Sequence, residues 1–249
     1  GEPMCRNLAK KSGMTVLAAD RDPAPLKRLE ADGVKTASLD EIATTCRTIF
    51  LSLPGGKEVA QVCLGEGGLV DKAKLGWTVI DLSTAPPKLA QRLYEEFEGR
   101  ASAFADAPVA RTRQAAIDGT LSIMVGATSL TFERIEPLLR HMASEVTHCG
   151  AAGAGQTVKI LNNMVLFQTV VALAEALTIA RAQGVDGKVL FETLSKGSAD
   201  SFALRNHGMK AMLPGVFPER AFSTEYALKD LSYAIEMGEQ HGVPGLGAD

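Results

Sequence analysis

The chain has 249 residues, 46% of them hydrophobic and 22% charged, with a formal net charge of −3. That length exceeds one small core and suits two domains or one large one. A slightly acidic balance without a Lys/Arg-rich run excludes a nucleic-acid footprint, and no stretch reaches the ~18 consecutive apolar residues of a membrane span. Cys5, Cys46, Cys63 and Cys149 are scattered, and His141, His148, His207 and His241 are isolated. Reduced, idle thiols and no metal site are therefore expected. In the absence of a signal-peptide pattern, a cytoplasmic location is expected.

Along the first two-thirds, short apolar runs alternate with amphipathic segments. The pattern predicts a helix over Pro3–Lys11, a strand over Met14–Ala19 and a short helix over Ala24–Asp32, closed by Gly33. A strand over Thr48–Leu53 is stopped by Pro54-Gly55-Gly56. Strand Thr78–Leu82 leads through Ser-Thr-Ala-Pro-Pro into a helix over Lys88–Phe97. Ala101–Ala105 and Leu121–Val125 read as further strands, with a helix over Leu130–Met142 behind them. Strands alternating with helices at this spacing predict a parallel, doubly wound sheet covered on both faces.

After Gly155 the pattern changes. From Gln156 to Gln183 there is no Gly or Pro, which at 1.5 Å per residue predicts one helix roughly 40 Å long. Its apolar residues fall on more than one face, as in a helix buried in a domain core or a subunit interface. Helical patterns continue through Lys188–Lys196, Phe202–Met212 and Thr224–His241. The expected architecture is a Rossmann-type α/β domain over residues 1–152, then an all-α domain over 153–249 begun by the long interdomain helix.

Chemistry first appears at the start of that helix. Lys159, Asn162 and Asn163 are three and four residues apart and project from roughly one side. The rest of that side is bulky and apolar, an environment an ammonium group avoids unless something pairs with it. Burial lowers the pKa of an amine toward neutrality, where it can move a proton. A lysine snorkelling from the helix start would carry the same pattern.

The N-terminus supplies a second signal. Gly1 opens a helix, a strand follows, and Asp20 ends that strand. In a Rossmann unit an acidic residue there binds the adenosine ribose hydroxyls while the helix start holds the pyrophosphate. An Asp after a strand is also a common turn residue. A carboxylate at Asp20 favours NAD by repelling the 2′-phosphate of NADP, whereas the adjoining Arg21 leaves NADP open.

Several ordered motifs carry a resemblance. Gly-Glu-Pro-Met-Cys-Arg-Asn-Leu at 1–8, Leu-Pro at 53–54, Asp-Leu-Ser-Thr at 81–84 and Asp-Ala-Pro-Val at 106–109 precede Gly-Thr-Leu at 119–121. Gly-x-Gly-x-x-x-Lys-x-x-x-Asn at 153–163 and Lys-Asp-Leu at 229–231 follow. With these the chain resembles the β-hydroxyacid dehydrogenases, the family of 3-hydroxyisobutyrate dehydrogenase, over essentially its whole length. The resemblance implies a first strand and about ten residues before Gly1, and a helical stretch after Asp249. It implies that Gly1, Pro3 and Met4 form the phosphate-binding helix start, Leu53, Pro54 and Thr84 line the nicotinamide and ribose, and Lys229 lies near the cofactor. Lys159 would be the catalytic lysine, with Asn163 and Asp230 beside the substrate. The implied reaction interconverts a short β-hydroxy acid and its semialdehyde by hydride transfer to or from NAD or NADP, in a homodimer or homotetramer built on the helical domain. A small anionic substrate is the expected partner, with neither nucleic acid nor membrane.

One segment departs from the family pattern. Where the family has Ser-Gly-Gly after Asp-Ala-Pro-Val, this chain has Ala110-Arg111-Thr112. A guanidinium and a hydroxyl replace a small hydroxyl-and-amide cradle, which suits a larger or more strongly charged anion held bidentately. The variant is similar to the 3-sulfolactaldehyde reductase branch, in which the arginine faces a sulfonate; a solvent-facing Arg111 and an ordinary carboxylate substrate is the alternative. A rival of another class is a dinucleotide-binding scaffold without turnover, and an imine reductase would usually have replaced the lysine.

Overall fold

The computed structural model describes residues 1–217 and 223–244. It divides into two compact units, Gly1–Lys159 and Ile160–Asp249, so the boundary falls inside the long helix, about two turns beyond the expected change at residue 152. The expected domain end at Asp249 lies outside the described residues.

The first unit opens with helix α1 (Glu2–Lys11), whose N-cap is Gly1 and whose first turn holds Pro3. Proline is tolerated there because the first-turn N–H groups lack helical partners in any case. Strand β1 (Leu17–Ala18), helix α2 (Pro23–Glu30) and strand β2 (Lys35–Thr36) follow, β1 and β2 pairing in parallel as a separate two-stranded ribbon. Helix α3 (Leu39–Thr45) begins with a capping box between Ser38 and Glu41. Strand β3 (Thr48–Leu51), helices α4 (Gly56–Leu64) and α5 (Leu69–Lys72), strand β4 (Thr78–Asp81) and helix α6 (Pro87–Glu98) come next. Then follow β5 (Ala103–Asp106), β6 (Val109–Ala110), α7 (Arg113–Asp118), β7 (Leu121–Gly126), α8 (Ser129–Leu139) and β8 (Ala143–Gly150).

The larger sheet has the order β3-β4-β5-β7-β6, with β8 also paired to β7. It is not parallel throughout, as the alternation of strands and helices suggested. β3, β4 and β5 are parallel, but β7 runs antiparallel to β5 and β6 and parallel to β8. The reason is the short α7: β6 turns back through one brief helix, too little chain for the crossover that a parallel neighbour needs. Alternating side chains place Val79 and Phe104 in one apolar layer and Ile80 and Ala105 in another, so the central strands are covered on both faces.

Helix α9 (Ala154–Ala182) spans 29 residues and starts in the first unit. In the second unit it is followed by α10 (Gly187–Leu194), a π-helical segment (Leu204–Met212) and α11 (Thr224–Gln240). Leu173 and Leu177 of α9 pack with Phe191, Ala203 and Leu204. Elsewhere α9 is not the buried core helix that its composition allowed. Leu161, Val165, Val171 and Ile179 are all exposed.

Candidate active site

Two buried carboxylates organise the carboxyl ends of the central strands. Asp81 closes β4 and Asp106 closes β5, directly opposite one another in register, and both are almost fully buried. The Asp106 Oδ1 accepts the Gly153 N–H at 2.7 Å and its Oδ2 the Gln156 N–H at 2.8 Å. This carboxylate therefore satisfies donors that the first turn of α9 would otherwise leave unpaired, at the positive end of the helix dipole. The fit requires glycine: a Cβ on Gly155 would lie 2.5 Å from the Met124 carbonyl oxygen and 2.8 Å from Asp106 Oδ2.

Gln156 carries the connection outward. It has no exposed surface; its Nε2 donates to the Ser83 carbonyl at 2.8 Å and its Oε1 accepts the Ala85 N–H at 3.0 Å. Ser83 in turn accepts the Leu53 N–H on its Oγ at 2.9 Å and donates its own N–H to Asp81 Oδ1 at 2.9 Å. Leu53-Pro54 and Ser83-Thr84, the loops that follow β3 and β4, are thereby held together and to the base of α9. Lys159 lies one turn beyond Gln156 and is 8% exposed.

The start of α1 reaches the same edge of the sheet. Gly1 approaches the loop after β3 so closely that a Cβ there would be 3.6 Å from Ser52 Oγ. No side chain caps α1, and a helix start without a side-chain cap fits a dinucleotide pyrophosphate. Pro3 shapes that first turn, whereas the Met4 side chain is buried in the core with Ile80 and Leu82 and leaves only its backbone for a ligand. Asp20 follows β1; its Oδ1 accepts the Asp22 N–H at 2.9 Å. Arg21 is exposed, its Nη2 3.4 Å from Gln61 Oε1 of α4.

The Ala110-Arg111-Thr112 segment follows β6. Ala110 is buried, and the Thr112 Oγ1 caps α7 by accepting the Ala115 N–H. Arg111 is exposed and has φ of 85°, a left-handed conformation that suits glycine and strains other residues. Its Nη1 donates to the Thr120 carbonyl at 2.6 Å and to Ser144 Oγ at 2.8 Å.

In the second unit, Asn163 and Asp230 are both buried, and Asn163 Nδ2 donates to Asp230 Oδ2 at 2.6 Å. Asn162 Nδ2 donates to Asn163 Oδ1 at 3.1 Å. The Lys229 ammonium is 3.4 Å from Asp230 Oδ1 and lies over the Tyr226 and Tyr233 rings at 5.3 and 5.8 Å from their centroids. Asn163 and Lys159 are four residues apart on α9, on one side of the helix.

The family is decided by comparison with known proteins. Residues 1–150 match the NAD binding domain of 6-phosphogluconate dehydrogenase, and residues 153–248 match the NAD-binding domain of NADP-dependent 3-hydroxyisobutyrate dehydrogenase. The chain belongs to the β-hydroxyacid dehydrogenase family. These proteins are NAD(P)-dependent oxidoreductases acting on CH–OH groups. The chain is 34% identical to 2-(hydroxymethyl)glutarate dehydrogenase of Eubacterium barkeri, over 98% of this chain and 81% of that protein. It is 33% identical to the mitochondrial 3-hydroxyisobutyrate dehydrogenase of Mus musculus, over 99% and 75%. Among solved structures, the Mycobacterium tuberculosis 3-hydroxyisobutyrate dehydrogenase with L-serine superposes with a TM-score of 0.88 at 29% identity, covering 99% of this chain and 87% of that one.

Sequence reasoning picked out Lys159 and its asparagines but assigned no role to Asp81, Asp106 or Gln156. The available signal was a glutamine on the first turn of an otherwise apolar helix, and an aspartate ending each of two apolar strands.

The buried carboxylates make stability depend on pH. Burial pushes Asp81 up to about 7 against the opposing Ser83 hydrogen bonds, with Asp106 adding repulsion. Burial likewise pushes Asp106 up to about 6, against the N–H groups of Gly153 and Gln156. A carboxyl raised in the folded state stabilises fully below its unfolded pKa and loses that contribution as pH rises through the folded value. Asp81→Asn keeps an acceptor for the Ser83 N–H and removes the charge. It should be more stable than the unsubstituted chain at pH 8, by a few kcal/mol at ~1.4 kcal/mol per pKa unit, and so unfold at a higher temperature, with the gap narrowing toward pH 4. A thermal melt series over pH 4–8 with a constant gap would refute this.

Proposed function

We propose that the chain interconverts a short β-hydroxy acid and its semialdehyde, with Lys159 moving the hydroxyl proton and a bound NAD or NADP exchanging hydride with the same carbon. The observation that carries this reading is a nearly buried lysine, one turn from the glutamine that holds the loops after β3 and β4. In oxidation the Lys159 Nζ takes the hydroxyl proton; in reduction it returns one to the carbonyl oxygen. Asn163, oriented by Asp230, offers a polar group one helical turn further on for the substrate's anionic end. Thr84, Leu53 and Pro54 line the nicotinamide end, and Gly1 and Pro3 shape the phosphate end. Asp20 favours NAD, and Arg21 leaves room for a 2′-phosphate.

Arg111 supports a narrower reading of the substrate. A non-glycine residue in a left-handed conformation costs about 1 kcal/mol or more and persists where the surroundings use it. The Thr120 and Ser144 contacts fix the guanidinium through one nitrogen, and the fork has further donors for an anion. We propose that with Thr112 it receives the anionic group, and that a sulfonate, as in a sulfolactaldehyde-type substrate, is accepted beside a carboxylate. The exposed Leu161, Val165, Val171 and Ile179 of α9 support a homodimer or homotetramer, since a face of that size is seldom left to water.

Lys159→Met should lower kcat by 10²–10⁴-fold while NAD(P)H binding, followed by fluorescence titration, changes less than about threefold. An equal loss of cofactor affinity would assign the lysine to binding instead. Arg111→Gly should raise the melting temperature by relieving the backbone, and raise KM for the anionic substrate about tenfold or more, the sulfonate more than the carboxylate; an unchanged KM removes Arg111 from the pocket. Sedimentation equilibrium should give a dimer or tetramer that Val171→Glu converts toward monomer, and a monomeric unsubstituted chain would refute the assembly.

A further inference from the structure

We infer that Gln156 is a positioning residue that sets the nicotinamide-binding loop at residues 82–85 at a fixed distance from Lys159. The inference rests on the reading of Thr84 as cofactor-lining. The geometry that carries it is local to the first unit. The Gln156 backbone N–H is fixed on Asp106 at 2.8 Å, and its side-chain amide uses both ends on one loop, donating to the Ser83 carbonyl and accepting from the Ala85 N–H. Those two backbone groups flank Thr84, so the amide brackets that residue. Ser83 passes the constraint to Leu53 through its hydroxyl. A buried primary amide with both functions engaged by backbone is geometrically demanding, because loss of either partner leaves an unpaired polar group in the interior.

Helix stability alone would not call for this side chain. Gln156 could be apolar if the first turn of α9 merely had to be covered, because the helix donors there are already met through its backbone and by Asp106. The side chain points to the loop instead. A glutamine three residues before Lys159 therefore couples the acid/base group to the part of the cofactor site that must face it, within the tolerance of a few tenths of an ångström that near-attack geometry demands.

The experiment compares NAD⁺ with ADP-ribose, which lacks the nicotinamide, by calorimetric titration of the unsubstituted chain, Gln156→Met and Gln156→Glu. Gln156→Met should weaken NAD⁺ about tenfold and leave ADP-ribose within twofold, because only the nicotinamide end meets residues 82–85. Gln156→Glu provides a second test should the methionine variant not fold. Its carboxylate can accept the Ala85 N–H but cannot donate to the Ser83 carbonyl, whereas its protonated form can do both. Its NAD⁺-to-ADP-ribose affinity ratio should thus approach that of the unsubstituted chain at pH 5.5 and fall about tenfold below it at pH 8. Equal weakening of both ligands, or a ratio that tracks the unsubstituted chain at both pH values, overturns the positioning role and leaves the dehydrogenase reading intact. Failure of the unsubstituted chain to distinguish NAD⁺ from ADP-ribose overturns the cofactor-lining reading, and this inference with it.

Discussion

Asp106 sits where three demands converge: the end of a central strand, the neighbourhood of a second buried carboxylate, and the amino end of a 29-residue helix. Burial disfavours its charge, while the N–H groups of Gly153 and Gln156 and the aligned peptide dipoles of α9 favour it. Both carboxyls are raised by burial, Asp106 against the N–H groups of the α9 start and Asp81 against Ser83. An asparagine in place of Asp106 would present one acceptor and one donor to a helix end that offers only donors. The carboxylate's two acceptors match that end, and the long helix is seated on the sheet through them.

Once α9 is seated, the loops after β3 and β4 have little freedom left. Gln156 holds the backbone on either side of Thr84, and Ser83 holds Leu53. Each of these bonds is modest in water-exposed settings, but the two made by Gln156 are buried, so each of them protects against an unpaired polar group. Loops at the carboxyl ends of parallel strands are the usual place for ligand binding in open α/β sheets. Here their backbone is satisfied by side chains distant in the chain, Gln156 of α9 for residues 83 and 85 and Ser83 for Leu53.

The alternation of apolar runs and amphipathic segments made the α/β layering readable, and Gly-free residues 156–183 made α9 readable. The antiparallel return at β7 was not, because a six-residue helix such as α7 leaves no strong periodic signature and Val109–Ala110 is too short to read as a strand. Met14–Ala19 reads as a full strand, yet only Leu17–Ala18 pairs, since its sole partner in the described residues is the two-residue β2. Lys159 and Asn163 stood out because a cation and an amide are unusual on an apolar helix, whereas Lys229 and Asp230 were named only through the family resemblance. Gln156 and Asp106 did not stand out, because their importance lies in the partners that folding brings them, 73 and 50 residues away in the chain for the Ser83 and Gln156 contacts respectively.

The contrast between Gln156 and Arg111 separates what the scaffold fixes from what it leaves adjustable. Gln156 is wholly buried and both ends of its side-chain amide are bonded to the backbone of residues 83 and 85, so a change in that side chain disturbs this loop first. Arg111 is exposed, at the margin of the sheet, and held by one guanidinium nitrogen. Its backbone conformation is one that glycine adopts without penalty, so the position tolerates glycine structurally and gains only a functional group from arginine. Arginine trades that backbone freedom for its hydrogen bonds to Thr120 and Ser144. On the proposed reading, substrate identity varies at residues 110–112 while the acid/base role stays with Lys159 at the base of α9.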